Sequence, residues 1–148
     1  ASGEGGGGKS NIFEKPKYQK GLTPKDHARD VPDISFAASL ISPGFYIISL
    51  SDTLPCTDCV VGGTSIGAPS WAGISMLIQQ KLGARPGLIN SRLYQLGPSG
   101  AAAGIRDATT GNNSSNGVNG YSAVPGFDLA SGWGTPDIAD FVAAFVSP

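Results

Sequence analysis

Apolar positions gather in a few short stretches, separated by long polar ones rich in glycine. Phe45-Tyr46-Ile47-Ile48-Ser49-Leu50 is a continuous apolar run of strand length. A short loop and Cys59-Val60-Val61 follow, so the two runs read as a hairpin. The period then changes. Between about residues 65 and 82, Trp71, Ile74, Ile78 and Leu82 fall on one stripe, and Ala68, Ala72, Met76 and Leu77 widen it. This predicts a helix buried until Gln79-Gln80-Lys81 and stopped by Gly83. A shorter helix is expected near Ile89 to Leu96, ending at Gly97-Pro98. A last one is expected from about Pro136 to Phe145, with Thr135 as N-cap, Pro136 in its first position and Asp137 in its first turn.

The stretches between carry little period. Residues 1–10 are glycine-rich and read as a flexible segment, and residues 11–30 are polar and broken by Pro16 and Pro24. A chain opening on such a segment resembles the interior of a larger protein exposed at a cleavage point. Residues 99–126 are rich in Gly, Ser, Asn and Ala. There is no internal repeat, and the 148 residues suffice for one domain with a sizeable core.

Composition narrows the functions available. Charged residues make up 14%, net charge is −1, and 22 glycines with 11 prolines imply much loop. Lys9, Lys15, Lys17, Lys20 and Lys25 are dispersed and form no basic patch, so nucleic acid is not an expected partner. No apolar run reaches the roughly 18–20 residues that a membrane-spanning helix needs.

Cys56 and Cys59 form a Cys-x-x-Cys. One such pair does not complete a four-ligand zinc site, and the single His27 is distant in sequence. At a hairpin tip the pair reads as a loop-closing disulfide of an oxidising compartment, with two reduced thiols as the alternative.

The candidate chemistry lies in Gly62-Gly63-Thr64-Ser65-Ile66-Gly67-Ala68-Pro69-Ser70-Trp71-Ala72-Gly73. A strand, a glycine turn and a serine at a helix start present a hydroxyl where unpaired N–H groups and the macrodipole favour developing negative charge. An ordinary N-cap would use the same Thr64 or Ser65. The longer string resembles the nucleophile motif of the subtilisin-like serine peptidase clan. Ser70 follows the proline where subtilisins usually carry histidine, which points to the sedolisin (serine-carboxyl peptidase) branch.

Two further segments resemble that branch. Ile105-Arg106-Asp107-Ala108-Thr109-Thr110-Gly111-Asn112-Asn113 is similar to the segment holding its first calcium-binding aspartate. Pro125-Gly126-Phe127-Asp128, with Ser131-Gly132-Trp133-Gly134-Thr135-Pro136, is similar to its second. Ser10-Asn11-Ile12-Phe13, Pro16-Lys17-Tyr18-Gln19 and Val31-Pro32-Asp33 match in the same order. The resemblance implies calcium held by the carboxylates of Asp107 and Asp128 and the carbonyls of Ala108, Val124 and Gly126, a hard oxygen set. The bare alternative is that each aspartate caps its own turn.

The resemblance also implies an α/β fold of subtilisin-like kind, with a mainly parallel sheet and flanking helices, of which residues 1–148 are the C-terminal portion of one peptidase domain. Ser65 would be the nucleophile of acid-acting peptide hydrolysis through an acyl-enzyme. The assisting glutamate and aspartate, and an oxyanion-hole aspartate, lie N-terminal to the glycine-rich segment in that family. They are therefore expected from a missing segment or a second chain, and this chain alone should be inactive. The chain is expected to be secreted, and the resemblance implies a peptide or protein substrate.

Other polar residues read more plainly. Asp26 and Asp30 stand at i, i+4 but beside Pro24 and Pro32, and are expected as solvated loop residues. Glu4 and Glu14 have no carboxylate four residues on, and His27 is expected at the surface. Asn112-Asn113-Ser114 and Asn113-Ser114-Ser115 are overlapping glycosylation sequons that matter in a eukaryotic secretory host. Rival readings are a non-enzymatic descendant keeping the fold, and a subtilisin-type peptidase, which Ser70 disfavours.

Overall fold

The computed structural model describes residues 5–39, 44–48 and 58–147. Along the chain these form β1 (Gly8–Glu14), a 3-10 turn (Lys17–Gln19), β2 (Ala28–Val31), β3 (Phe45–Ile48), β4 (Asp58–Val61) and α1 (Thr64–Leu82). They continue as α2 (Asn90–Leu96), a second 3-10 segment (Gly97–Ala103), β5 (Ile105–Arg106), β6 (Thr135–Pro136) and α3 (Ile138–Val146). None of the described helices is long and apolar enough to cross a membrane.

The expected parallel sheet is not what the described strands build. They pair antiparallel in three two-stranded units, β1 with β2, β3 with β4, and β5 with β6. A parallel neighbour needs a crossover connection, and the long helix that could serve as one leads here to α2 rather than to another strand. The β3–β4 hairpin is in register from Phe45 opposite Val61 to Ile48 opposite Asp58, as the two apolar runs predict. The β1–β2 pair was not legible. It turns part of the polar N-terminal stretch into sheet and takes Gly8–Ser10 out of the segment expected to be flexible.

α1 runs where its period predicts and ends at Gly83, whose φ of 67° is the left-handed C-cap that glycine adopts without a Cβ penalty. Its burial is much less than expected. Ile74 and Ile78 are buried, whereas Met76, Leu77 and Leu82 are exposed. Only one narrow face meets the rest of the described chain, chiefly α3, where Trp71 stands edge-on to Phe141 with ring centroids 5.7 Å apart.

α3 begins later than expected. Thr135 and Pro136 pair with Arg106 and Ile105 as a short strand, so Asp137 becomes the N-cap residue, with no side-chain capping bond. Phe141, Val142 and Phe145 then face inward and complete a core with Ile74, Ile78, Leu93, Tyr94, Ile105 and Trp133. Arg92 on α2 fastens the far end of α3, donating to the carbonyls of Ala144 (3.1 Å), Phe145 (3.2 Å) and Ser147 (2.5 Å).

Widely separated segments close over this core. Trp133 N donates to Asp33 O (3.1 Å), and Ser35 donates to Gly134 O through both its backbone N (2.7 Å) and its hydroxyl (2.9 Å). Gly132 lies against the Asp33 backbone, where any Cβ would collide.

Candidate active site and acidic loop

Ser65 is an exposed residue in the first turn of α1. The turn before it is set by Gly63, with φ 85°, whose N–H donates to Ala38 O at 2.6 Å and ties the junction to the 36–38 segment. No side chain caps the helix, and no acidic residue stands in its first turn. Ile66 N donates to Gly63 O (3.0 Å), and among the described residues the Thr64 and Ser65 N–H groups and the positive end of the dipole remain available to a ligand.

Pro69 lies deeper than the first turn, inside the helix. In a regular helix the N–H of residue 69 would donate to the carbonyl of residue 65, and proline has none to give. The missing bond thus falls on Ser65 itself. Beside the junction is a cleft of about 320 Å³, walled by Phe36, Ala38, Gly63, Thr64, Gly67 and Trp71 among others. Among the described residues no carboxylate lines it.

Asp107 and Asp128 each accept a hydrogen bond from loop 124–126. Asp128 is buried, and its Oδ2 accepts from Val124 N (2.9 Å). Its Oδ1 accepts from Ala130 N (2.9 Å), Ser131 N (2.7 Å) and Ser131 Oγ (3.1 Å). Asp107 is exposed, and its Oδ2 accepts from Gly126 N at 2.7 Å. Phe127, between them in sequence, anchors the loop in an aromatic cluster with Trp133 (centroids 5.6 Å) and Tyr94 (5.9 Å). Beside Asp107, Arg106 holds Asp137 at 2.8 Å, and this hydrogen bond keeps the Asp137 carboxyl below its ordinary pKa.

No family model matches the chain. It is 32% identical to tripeptidyl-peptidase 1 of the dog, Canis lupus familiaris, over 168 aligned positions, which cover 97% of this chain and 28% of that protein. It is 36% identical to kumamolisin of Bacillus sp. (strain MN-32) over 142 positions, 90% of this chain and 24% of that one. Its structure superposes on Pseudomonas sedolisin, a serine-carboxyl proteinase solved with two molecules of pseudo-iodotyrostatin, with a TM-score of 0.78 and 31% identity over 93% of this chain. The chain belongs to the sedolisin family. It spans between 24% and 35% of the length of these relatives.

Within this sedolisin segment Asp107 bonds to Gly126 and Asp128 to Val124, while Ser65 has no base beside it among the described residues. Among the described residues, no carboxylate is bonded to Ser65, and no three His, Cys, Asp or Glu side chains cluster to hold a metal. Cys59 lies in β4 and is disulfide-bonded. Cys56 is outside the described residues.

The reading of Asp30 as a solvated loop residue is corrected, whereas Asp26 is a partly exposed loop residue as expected. Asp30 is fully buried, accepting from Thr23 Oγ1 and ion-paired to Lys15, while Lys15 also holds Asp26 at 3.0 Å. Gln19 brackets the Asp30 backbone, accepting from its N–H (2.9 Å) and donating to its carbonyl (2.8 Å). A polar stretch such as 15–30 gives no apolar signal, because its interior is built from reciprocal hydrogen bonds. His27 is exposed, as expected.

Proposed function

We propose that this segment carries the nucleophile, Ser65, of a serine-carboxyl peptidase that cleaves peptide bonds at acid pH. The observation that carries this reading is an exposed serine in an uncapped first helical turn, beside an apolar cleft, within a segment similar to sedolisin-family peptidases. Ser65 Oγ attacks the scissile carbonyl carbon, and the N-terminal donors of α1 lie near the charge that develops. The Oγ proton passes to a carboxylate and from it to the amine as the C–N bond breaks. Water then attacks the acyl carbon, the acid leaves, and a proton returns to Ser65 Oγ.

The base is a glutamate supported by an aspartate, contributed with the oxyanion-hole aspartate by the N-terminal portion of the same peptidase. Exposed Met76, Leu77 and Leu82 on α1, with Tyr46 and Ile48 on β3, are apolar surface suited to packing against that portion. Asp107 and Asp128, with the carbonyls of Ala108, Val124 and Gly126, hold calcium. Two carboxylates converging on loop 124–126, one of them exposed and accepting a single hydrogen bond, support this assignment. The ion would neutralise the paired carboxylates and fix the loop. Secretion accords with the disulfide at Cys59.

The test is turnover of a peptide substrate at acid pH by the intact protein and by its Ser65→Ala variant. The variant should fold normally and lose activity by on the order of 10³-fold or more. Undiminished hydrolysis by Ser65→Ala would remove Ser65 from the mechanism. An intact parent protein without peptidase activity would instead make this a non-enzymatic member of the fold.

A further inference from the structure

The two overlapping sequons present adjacent asparagines in very different states. Asn113 is half-buried and fully engaged. Its Oδ1 accepts from Tyr121 N at 2.6 Å, and its Nδ2 donates to the carbonyls of Gly5 (3.3 Å) and Leu129 (3.5 Å). It thereby joins three separate stretches of chain. Gly120 and Gly7 pack so closely on this amide that even a Cβ on either would strike it.

Asn112 is exposed. Its Oδ1 accepts from Ser114 N at 2.9 Å, folding the side chain into an Asx turn, and its Nδ2 makes no hydrogen bond among the described residues. The amide nitrogen that a glycan would use is thus tied down at residue 113 and open at residue 112.

We propose that Asn112, and not Asn113, is an N-glycan acceptor when the protein passes through a eukaryotic secretory route. The disulfide at Cys59 independently points to an oxidising compartment. In the transfer, Asn112 Nδ2 loses a proton and bonds to the anomeric carbon of a lipid-diphosphate-linked oligosaccharide. The anomeric C–O bond breaks, and the lipid diphosphate leaves with its electron pair and takes up the proton. Transfer precedes folding, so both asparagines are offered to it. A chain modified at Asn113 cannot make its three bonds or fit under Gly7 and Gly120, and it is removed before secretion. The glycan at Asn112 would stand on the exposed loop that joins Asp107 to the rest of the acidic site.

The sequons can be separated cleanly, because Ser114 completes the one at Asn112 and Ser115 the one at Asn113. The intact protein is secreted from a eukaryotic host behind a leader and treated with the amidase that releases N-glycans and leaves aspartate at the modified position. Peptide mass spectrometry then reads which residue was converted. The expected result is conversion at residue 112 in the parent protein, in Ser115→Ala and in Ser114→Thr. In Ser114→Ala the conversion at 112 is lost. A secreted, folded protein converted at residue 113, or a secreted parent protein with no conversion at either residue, overturns the proposal. Neither result bears on Ser65, whose role is tested by turnover.

Discussion

Gln19 Nε2 donates to Tyr94 Oη at 2.7 Å, joining the N-terminal hairpin to α2 across 75 positions of sequence. The Tyr94 hydroxyl passes the bond on, donating to Asp33 Oδ1 at 2.8 Å, and Asp33 is ion-paired to Arg29. Burial, followed by the charge of Asp33, pushes the Tyr94 hydroxyl well above its ordinary pKa and keeps it a neutral donor. Gln19→Ala strands the buried N–H and carbonyl of Asp30 and should destabilise the protein by about 3 kcal/mol. Tyr94→Phe leaves those groups paired and should lose only about 1–2 kcal/mol. Urea unfolding of both variants tests the ranking, and equal losses would contradict it.

The Lys15 cluster should give stability a plateau with two edges. Burial works to lower the Lys15 pKa, but hydrogen bonds and charge from Asp30 and Asp26 outweigh it and raise it above 10.5. The hydrogen bond from Lys15 comes first in lowering Asp26 below 3.8. A raised amine stabilises fully below 10.5 and loses its contribution as pH climbs through the raised value. A lowered carboxyl stabilises above 3.8 and loses its contribution as pH falls through the lowered value. Thermal melts of Asp26→Asn should therefore lack part of the acid-side decline seen in the parent. Lys15→Met leaves buried Asp30 without its cation and should lose about 3 kcal/mol at neutral pH. An unchanged acid limb in Asp26→Asn would show that the pair is not what shapes it.

Gly97→Ala sets two rules against each other. Residue 97 has helical dihedrals of −46° and −49°, where alanine is favoured over glycine by about 1 kcal/mol. A Cβ there would overlap the indole of Trp133. Overpacking of this kind typically costs about 1–3 kcal/mol, so the variant should be less stable on balance. A melting temperature at or above that of the parent would mean the indole can move aside.

Calcium should stabilise the parent by about 2.7 kcal/mol when the free ion is about a hundred times its Kd. Asp107→Asn should abolish this gain with little loss in chelator, because Asp107 accepts only one hydrogen bond. Asp128→Asn should be destabilised in both conditions, since its two oxygens accept from four donors. Differential scanning calorimetry with calcium and with chelator separates the cases. A parent protein indifferent to both would remove the ion from this site.

The sequence was most legible where one local signal suffices. The 3.6-residue period and Gly83 located α1, and two β-rich runs located the β3–β4 hairpin. Where a distant partner decides the outcome, it misled. Thr135 and Pro136 satisfy every local rule for a helix start, yet pairing with Ile105 and Arg106 takes them into a strand. Asp30 sits among polar residues and prolines, and is buried only because Lys15, Gln19 and Thr23 return to it. The extent of α1's burial could not be read from its own stripe, because amphipathicity shows which residues are apolar and not what covers them. At the candidate site, the residues 107, 124, 126 and 128 were visible as motifs, while the part of Ser131 in holding Asp128 carried no separate signal.

The bonds from Asp33 and Ser35 to Trp133 and Gly134 also fix the order in which the molecule can be completed during synthesis. Ser35 leaves the ribosome 99 positions before the carbonyl it needs. At about 5–20 residues per second, several seconds pass before that partner exists. From about the middle of that interval α1 is fully made, but α3, which covers its inner face, is not. The nascent chain therefore carries an unsealed apolar helix face while the residues between α1 and α3 are being made, and this topology makes it a natural client for a chaperone that binds such surfaces until α3 arrives.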